Sequence, residues 1–142
     1  MGTDSETMNG RCQCGDIKYR VTGPSIFVEY CHCESCRRSS GAPLVAWAAF
    51  APSQFEIEVG NPTAYNSSET VVRTFCGRCG TSLTLVDQRF ADEIYVSVVS
   101  LDEPESAPPD FHIWRSHRLT WLETSDKLPR YVKFKFDGIL EE

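Results

Sequence analysis

Short stretches in which apolar and polar residues alternate dominate this chain. Apolar side chains occupy every second position at Ile17, Tyr19 and Val21. Because alternate side chains of an extended strand point to opposite faces, this pattern predicts a half-buried strand. Similar patterns and short apolar runs predict further strands over residues 26–30, 44–50, 55–59, 70–75, 82–86, 94–99 and 131–136.

Turn-forming segments separate these predicted strands. Glycine and proline interrupt the chain at 22–25, 39–43 and 60–62, and residues 102–109 contain three prolines and three acidic residues, which predicts an exposed loop. No stretch keeps a helical period over three turns. Many short strands joined by turns are typical of an all-β or mostly β domain.

The length of 142 residues suits a single domain with a hydrophobic core of its own. We expect one zinc-binding β domain over residues 10–137, with a flexible N-terminal tail over 1–9 and a C-terminal tail over 138–142.

Composition and charge exclude some classes of function. The net charge of −6 is a poor fit to a nucleic-acid backbone, which favours clustered Lys and Arg. The longest apolar run, over 44–51, is far too short for a membrane span, and the first residues lack the features of a signal peptide. We therefore expect a cytoplasmic protein that binds neither nucleic acid nor membrane, and the sequence gives no indication of its oligomeric state.

The seven cysteines carry the chemistry that the sequence reveals. They fall into three close groups, at Cys12 and Cys14, at Cys31, Cys33 and Cys36, and at Cys76 and Cys79. An odd number would leave one thiol outside any set of disulfides, and a reducing cytosol disfavours disulfides. As metal ligands, seven divides into four for a closed structural zinc and three for a zinc with an open position.

Spacing suggests how the cysteines are shared between two ions. Cys76 and Cys79, followed by Gly80, form a zinc knuckle, and we expect Gly80 to adopt a positive φ. A second pair must complete the tetrahedron, and Cys12 with Cys14 is available. That choice leaves Cys31, Cys33 and Cys36 as a three-ligand set.

Other assignments remain open from spacing alone. Cys31 and Cys33 could join the knuckle instead, His32 could be a ligand, or a single structural zinc could leave the other thiols as small buried residues. We expect His32 to point outward rather than at an ion. His112 and His117 have no paired carboxylate nearby in the sequence, and the tryptophans are expected in the core or at a rim.

Three segments resemble the glutathione-dependent formaldehyde-activating enzyme family, which also includes centromere-protein-V-like members. They are residues 10–15, 30–41 and 73–80, and a weaker similarity continues through His112 and Trp121 to 126–129. The resemblance spans about residues 10–131. All seven cysteines lie in the family's order and spacing, which is more specific than any single pair.

The resemblance implies a β-tent-type fold and two zinc ions. It implies a structural zinc on Cys12, Cys14, Cys76 and Cys79, and a functional zinc on the catalytic set Cys31, Cys33 and Cys36. It also implies carbon–sulfur lyase chemistry, in which glutathione and formaldehyde form S-hydroxymethylglutathione.

Two functions follow as hypotheses. In the first, the chain is an enzyme that adds a thiol such as glutathione to a small aldehyde, with Arg37 and Arg38 as possible contacts to glutathione carboxylates. Alternatively, one of these arginines, or both, could be a solvated charge. In the second hypothesis, the chain is a non-catalytic zinc scaffold that binds a thiol or a protein partner. A redox sensor is a third option that nothing in the sequence demands.

Overall fold

Ten strands and one short helix form the regular structure of residues 6–141, the part of the chain that this computed structural model describes. The strands are β1 (Thr7–Arg11), β2 (Lys18–Thr22), β3 (Phe27–Cys31), β4 (Val45–Phe50), β5 (Phe55–Val59), β6 (Thr63–Asn66), β7 (Val71–Phe75), β8 (Ser82–Asp87), β9 (Ile94–Ser97) and β10 (Phe111–Ile113), and the helix is α1 (Glu34–Ser40). The predicted mostly β class is confirmed. No helix in this part of the chain has the length and apolar character needed to cross a membrane.

The strands form two sheets. A three-stranded sheet has the order β1-β2-β5, and a seven-stranded sheet has the order β10-β3-β4-β9-β8-β7-β6. Neighbouring strands are antiparallel except β10, which runs parallel to β3 and pairs His112 with Tyr30. This parallel pair brings the chain after the acidic loop back beside the strand that leads into the three-cysteine cluster.

The main core lies between the two sheets and depends on the alternation seen in the sequence. Tyr19 and Val21 on β2 are fully buried, and they pack in one cluster with Phe50 and Val96 from the larger sheet. The Tyr19 hydroxyl also forms a 2.6 Å hydrogen bond with Ser100. The small sheet is therefore held to the large one by both apolar contact and a buried polar contact.

The helix α1 has seven residues, which are too few for the hydrophobic pattern of the sequence to predict it. Cys33 caps its first turn by accepting a hydrogen bond from the Cys36 backbone N–H at 3.3 Å. Gly41 ends it in the left-handed region at φ 73°, where a residue without a Cβ carries no steric penalty. Two turns offer too few positions to show a 3.6-residue period, and the sequence predicted only a break near residue 41.

Both predicted tails need correction within the described residues. Residues 7–9 belong to β1, because β1 forms a complete antiparallel ladder with β2. Leu140 forms a bridge with Tyr131, and Glu141 forms an ion pair with Arg115 at 3.0 Å. Residues 1–5 and 142 lie outside the described part of the chain.

Two predicted strands also differ from the structure. The sequence predicts a strand over residues 94–99, but β9 ends at Ser97 and a 3₁₀ turn follows. The segment 131–136 alternates without pairing as a strand, and it contributes one bridge and the start of a 3₁₀ turn at Lys135. Val98 is buried in the main core and Tyr131 packs on Phe111, whereas Val99 and Phe136 are exposed, so neither segment keeps the two-faced burial of a strand.

Gly10 provides a test of how the two sheets pack. It lies opposite Tyr19 in the β1–β2 register, and a Cβ at this position would overlap the end of the Tyr19 ring. We expect Gly10→Ala to lower the free energy of unfolding by about 1–3 kcal/mol, the usual cost of overpacking a core. Denaturant unfolding measures this.

The Tyr19→Leu background is the matched control for this prediction. A leucine side chain ends before the ring atoms that the new methyl group would meet, so Gly10→Ala should cost less there. An equal cost in both backgrounds would show that the contact with Tyr19 is not the cause.

Candidate functional site

Four cysteine sulfurs from distant parts of the chain meet in one group. The Sγ atoms of Cys12, Cys14, Cys76 and Cys79 all lie within 4.8 Å of one another. The Cys12–Cys14 and Cys14–Cys76 sulfur distances are 3.6 and 3.7 Å. Tetrahedral zinc with bonds of about 2.3 Å needs sulfurs about 3.8 Å apart, so this donor set fits a structural zinc ion.

Backbone groups around the four sulfurs have the arrangement that thiolate ligands favour. The N–H of Ile17 donates to Cys12 Sγ at 3.3 Å, and those of Arg78 and Cys79 donate to Cys76 Sγ at 3.4 Å. Such outer contacts fix the orientation of a ligand. The predicted positive φ of Gly80 is confirmed at 83°.

The other three cysteines form a separate group. Cys31 ends β3, Cys33 caps α1 and Cys36 lies in its first turn, and their sulfurs lie within 4.8 Å of one another. The structure therefore divides the cysteines into four and three, and it does not bring Cys31 and Cys33 to the knuckle. Within residues 6–141, no His, Asp or Glu joins this three-cysteine group as a further donor.

Arg73 is a buried cation beside the three-cysteine group. Its side chain extends from β7 and donates to Ser39 Oγ at 3.0 Å and to Ser35 Oγ at 2.9 Å. The same guanidinium lies 3.7 Å from Cys36 Sγ. Contacts with the Cys31 and Cys33 sulfurs lower the pKa of Cys36, and the charge of Arg73 lowers it further. Arg73 thus stabilises negative charge on this group and ties α1 to the large sheet.

A cleft of about 720 Å³ opens above the three-cysteine group. Its walls are largely aromatic, with Phe27, Phe90, Trp47, Tyr95, Phe111, Trp114, Phe134 and Phe136 among the lining residues. Its charged lining includes Glu29, Arg73, Arg89 and Lys135. This is the size and character of a small-molecule site with a few polar groups.

Glu29 is a buried acid on the wall of this cleft. Its side chain is 8% exposed, and it forms no ion pair with the described residues. Burial raises the pKa of Glu29 to about 8, and the negative charge of Cys36 contributes. Nearby, the Tyr95 hydroxyl donates a hydrogen bond to Glu93. The cleft therefore combines acidic groups with the cation of Arg73.

A chain of two histidines and one aspartate lies behind the three-cysteine loop. His32 Nε2 is 2.8 Å from His112 Nδ1, and His112 Nε2 is 3.0 Å from an Asp126 oxygen. Because the carboxylate accepts, His112 Nε2–H donates to it, and His112 Nδ1 accepts from His32 Nε2–H. Burial lowers the pKa of His32 to about 4 and also lowers that of His112, which favours the neutral rings.

These contacts correct two predictions about histidines. His32 does stay out of the sulfur group, but it points into the protein and is 1% exposed rather than outward-facing. His112 is fully buried and does have a carboxylate partner, since Asp126 reaches it from a loop fourteen residues later. No spacing rule in the sequence indicates this pairing. The three groups connect the three-cysteine loop to β10 and to the C-terminal segment.

The two arginines after the cluster have other partners. Arg37 donates to the backbone oxygens of His32 and His117 at 3.3 and 3.2 Å, and Arg38 pairs with Glu34 one helical turn earlier at 2.8 Å. Neither lines the cleft, so their positions give no support to a contact with glutathione. Arg73, which the sequence analysis did not single out, occupies the position expected of them.

The tryptophans differ in their surroundings. Trp47 is buried at the cleft wall, and Trp114 lies at its rim with a positive φ of 57°. Trp121 is 73% exposed and does not line the cleft. The expectation of core or rim positions therefore holds for the first two and is wrong for the third.

Comparisons with known proteins show a protein family, two relatives and a solved structure to which this chain is similar. The family profile described as "Glutathione-dependent formaldehyde-activating enzyme" matches residues 7–117. A Halomonas elongata protein named "Putative glutathione-dependent formaldehyde-activating enzyme" is 24% identical over 134 residues, which cover 84% of this chain and 82% of that protein. A Schizosaccharomyces pombe "Uncharacterized lyase" is 36% identical over 75 residues, about half of each chain.

A solved structure shares the fold. The crystal structure of a Rhodobacter sphaeroides protein is similar with a TM-score of 0.57 and 27% sequence identity. The similarity covers 67% of this chain and 88% of that one. The shared part is thus nearly the whole of the smaller protein, and this chain has additional residues.

Replacing His112 tests whether the histidine chain positions the three-cysteine loop. His112→Ala leaves a cavity and removes the buried partner of His32, so we expect the free energy of unfolding to fall by about 2–4 kcal/mol. Denaturant unfolding measures this. His117→Ala is the matched control, because that ring is exposed beside the same loop and should change stability by less than about 0.5 kcal/mol. Equal effects of the two substitutions would contradict the role given to His112.

Proposed function

Because the chain belongs to the glutathione-dependent formaldehyde-activating enzyme family, we propose that it is a zinc-dependent carbon–sulfur lyase-type enzyme. It adds a thiol such as glutathione to a small aldehyde such as formaldehyde, giving S-hydroxymethylglutathione, or catalyses the reverse. The observation that carries this proposal is a group of three thiols lining a cleft, with no fourth protein donor among the described residues.

Two zinc ions complete the proposed enzyme. Cys12, Cys14, Cys76 and Cys79 would hold the structural ion, and Cys31, Cys33 and Cys36 would hold the functional one. A zinc ion held by three protein ligands would supply Lewis acidity and would lower the pKa of a substrate thiol.

The chain's own residues prepare the cleft for this reaction. Arg73 offsets the negative charge of three thiolates, since its guanidinium contacts Cys36 and is 7% exposed. The apolar walls exclude water from the aldehyde. In the forward direction the thiol sulfur bonds to the carbonyl carbon, and the carbonyl oxygen becomes a hydroxyl by taking the proton that the thiol loses.

The alternative is a non-catalytic zinc scaffold. Such a protein has no need of an open coordination position and would be expected to fill it with a side chain. The three-cysteine group has no such additional donor within residues 6–141 and faces a cleft large enough for a tripeptide. Both observations favour an enzyme.

Zinc counts on two cysteine variants test the division of the ligands. Cys33→Ser should lose one zinc ion per chain and keep the circular dichroism spectrum of the folded protein. Cys76→Ser should lose the ion that joins the two sheets and unfold or become strongly destabilised, because structural zinc contributes folding free energy directly. Elemental analysis and circular dichroism measure both effects. Two variants that are equally unfolded would show that the division into structural and functional ions is wrong.

Exchange kinetics test the catalytic proposal. Glutathione and formaldehyde combine without an enzyme, so the quantity to measure is the rate of exchange between free formaldehyde and S-hydroxymethylglutathione, by NMR exchange spectroscopy. The zinc-loaded protein should raise this rate, and Cys33→Ser should return it to the uncatalysed value. Arg38→Ala should leave it unchanged, since this side chain is exposed and pairs only with Glu34. A wild-type rate equal to the uncatalysed one, with formaldehyde and with a larger aldehyde alike, would contradict the enzyme hypothesis and leave the scaffold.

A further inference from the structure

One side of the cleft is built from four aromatic rings, which we call the aromatic wall: Phe90, Trp114, Phe134 and Phe136. The Phe134 and Phe136 rings stack with centroids 5.0 Å apart. Phe90 lies 5.7 Å from each of them, and Trp114 lies 5.2 Å from Phe134. Phe136 nevertheless remains 68% exposed. An exposed aromatic surface that faces a cleft is available to an apolar ligand.

Half of the aromatic wall comes from chain beyond the part matched by the family profile. That match ends at residue 117, whereas Phe134 and Phe136 lie in the C-terminal segment, residues 118–141. Glu141 pairs with the buried Arg115, and Tyr131 donates its backbone N–H to His112 O at 2.9 Å. The segment is therefore held against the site, and the wall is a built feature of this chain.

A cation without an acidic partner completes this side of the cleft. Lys135 lies between the two phenylalanines, and its Nζ is 4.9 Å from the Phe111 ring centroid. It forms no ion pair with the residues described, whereas the neighbouring Arg89 is paired with Asp87 at 2.7 Å. Lys135 can therefore bind a carboxylate of a peptide thiol.

The adduct of formaldehyde would gain little binding free energy from the aromatic wall. The hydroxymethyl group that it leaves on sulfur has one carbon and one hydroxyl, and it buries almost no apolar surface. A phenyl group buried against these rings would bind about 10- to 100-fold more tightly through the apolar area it removes from water.

Resting on the proposed function, we propose that the aldehyde of this site carries an aromatic or extended apolar group, which packs against the aromatic wall. The substrate is then the adduct of glutathione with such an aldehyde. The thiol sulfur bonds to the carbonyl carbon, the carbon–oxygen double bond becomes a carbon–hydroxyl single bond, and the thiol proton ends on that oxygen. The reverse step breaks the carbon–sulfur bond and releases the aldehyde, and neither direction needs an oxidant or a reductant.

Two stable thioethers test this substrate class by calorimetry on the zinc-loaded protein. S-benzylglutathione represents the adduct of an aromatic aldehyde, and S-methylglutathione represents that of formaldehyde. The benzyl compound should bind at least about tenfold more tightly. Phe136→Ala should reduce this ratio several-fold, and its exposed position lets the variant fold, which circular dichroism verifies. Trp121→Ala is the matched control, because that ring is equally exposed and lies away from the cleft, so the ratio should stay at the wild-type value.

The outcomes separate this inference from the proposed function. Equal affinities for the two thioethers, no binding of either, or a ratio unchanged by Phe136→Ala would overturn the inference. If formaldehyde exchange is still accelerated in that case, the proposed function stands without it. A preference for the benzyl compound that depends on Phe136, without acceleration of either formaldehyde or benzaldehyde exchange, would support the aromatic subsite and overturn the catalytic proposal.

Discussion

The convergence of four sulfurs from two sheets is the constraint on which the rest of the structure depends. Cys12 and Cys14 follow β1 of the small sheet, and Cys76 and Cys79 follow β7 of the large one. Sulfur distances of 3.6 and 3.7 Å match the edge of a zinc tetrahedron, and without a cation four thiolates so close would repel one another. A single ion at this point would therefore fix how the sheets meet, and with them the core around Tyr19.

The three-cysteine group needs a different kind of support, because its ligands lie within six residues on one loop and a short helix. A helix of two turns is marginal by itself, so tertiary contacts must hold it. Arg73 fastens α1 to β7 through Ser35 and Ser39, and the pair of His32 and His112 fastens the preceding loop to β10. The open group can keep its shape because neighbouring elements, and not a fourth ligand, position it.

Local sequence patterns predict much of the fold and the clusters of cysteines. They do not predict contacts between residues that lie far apart in the chain. Alternation locates β2, and the spacing within each cysteine cluster predicts metal ligands, since a ligand pair depends on residues two or three apart. How the clusters combine is open from spacing alone, and the family resemblance implies the division into four and three that the structure has. His112 meets His32 because β10 pairs with β3, and it meets Asp126 because the chain near Arg130 runs beside β10. Arg73 meets Cys36 because its side chain extends from β7 to α1. Such contacts arise from topology, and no short-range pattern encodes them. Arg37 and Arg38 illustrate the converse, because closeness in sequence to the cysteines does not place either side chain in the cleft.

The two halves of the aromatic wall come from different stretches of the chain, and this has a physical consequence for the cleft. The seven cysteines and Arg73 all fall within the family match at residues 7–117, and the proposed chemistry at sulfur would depend on them. The wall that faces this chemistry is completed by Phe134 and Phe136, which are held by the Arg115–Glu141 ion pair and by backbone bonds to β10. A change of Phe134 or Phe136 would therefore alter which apolar group the cleft accepts, whereas a change in the backbone of this segment would also reach the three-cysteine loop, because Asp126 and Tyr131 both contact His112. Phe90 and Trp114, the other half of the wall, lie within the family match, so under the proposed function both stretches of the chain would shape substrate choice.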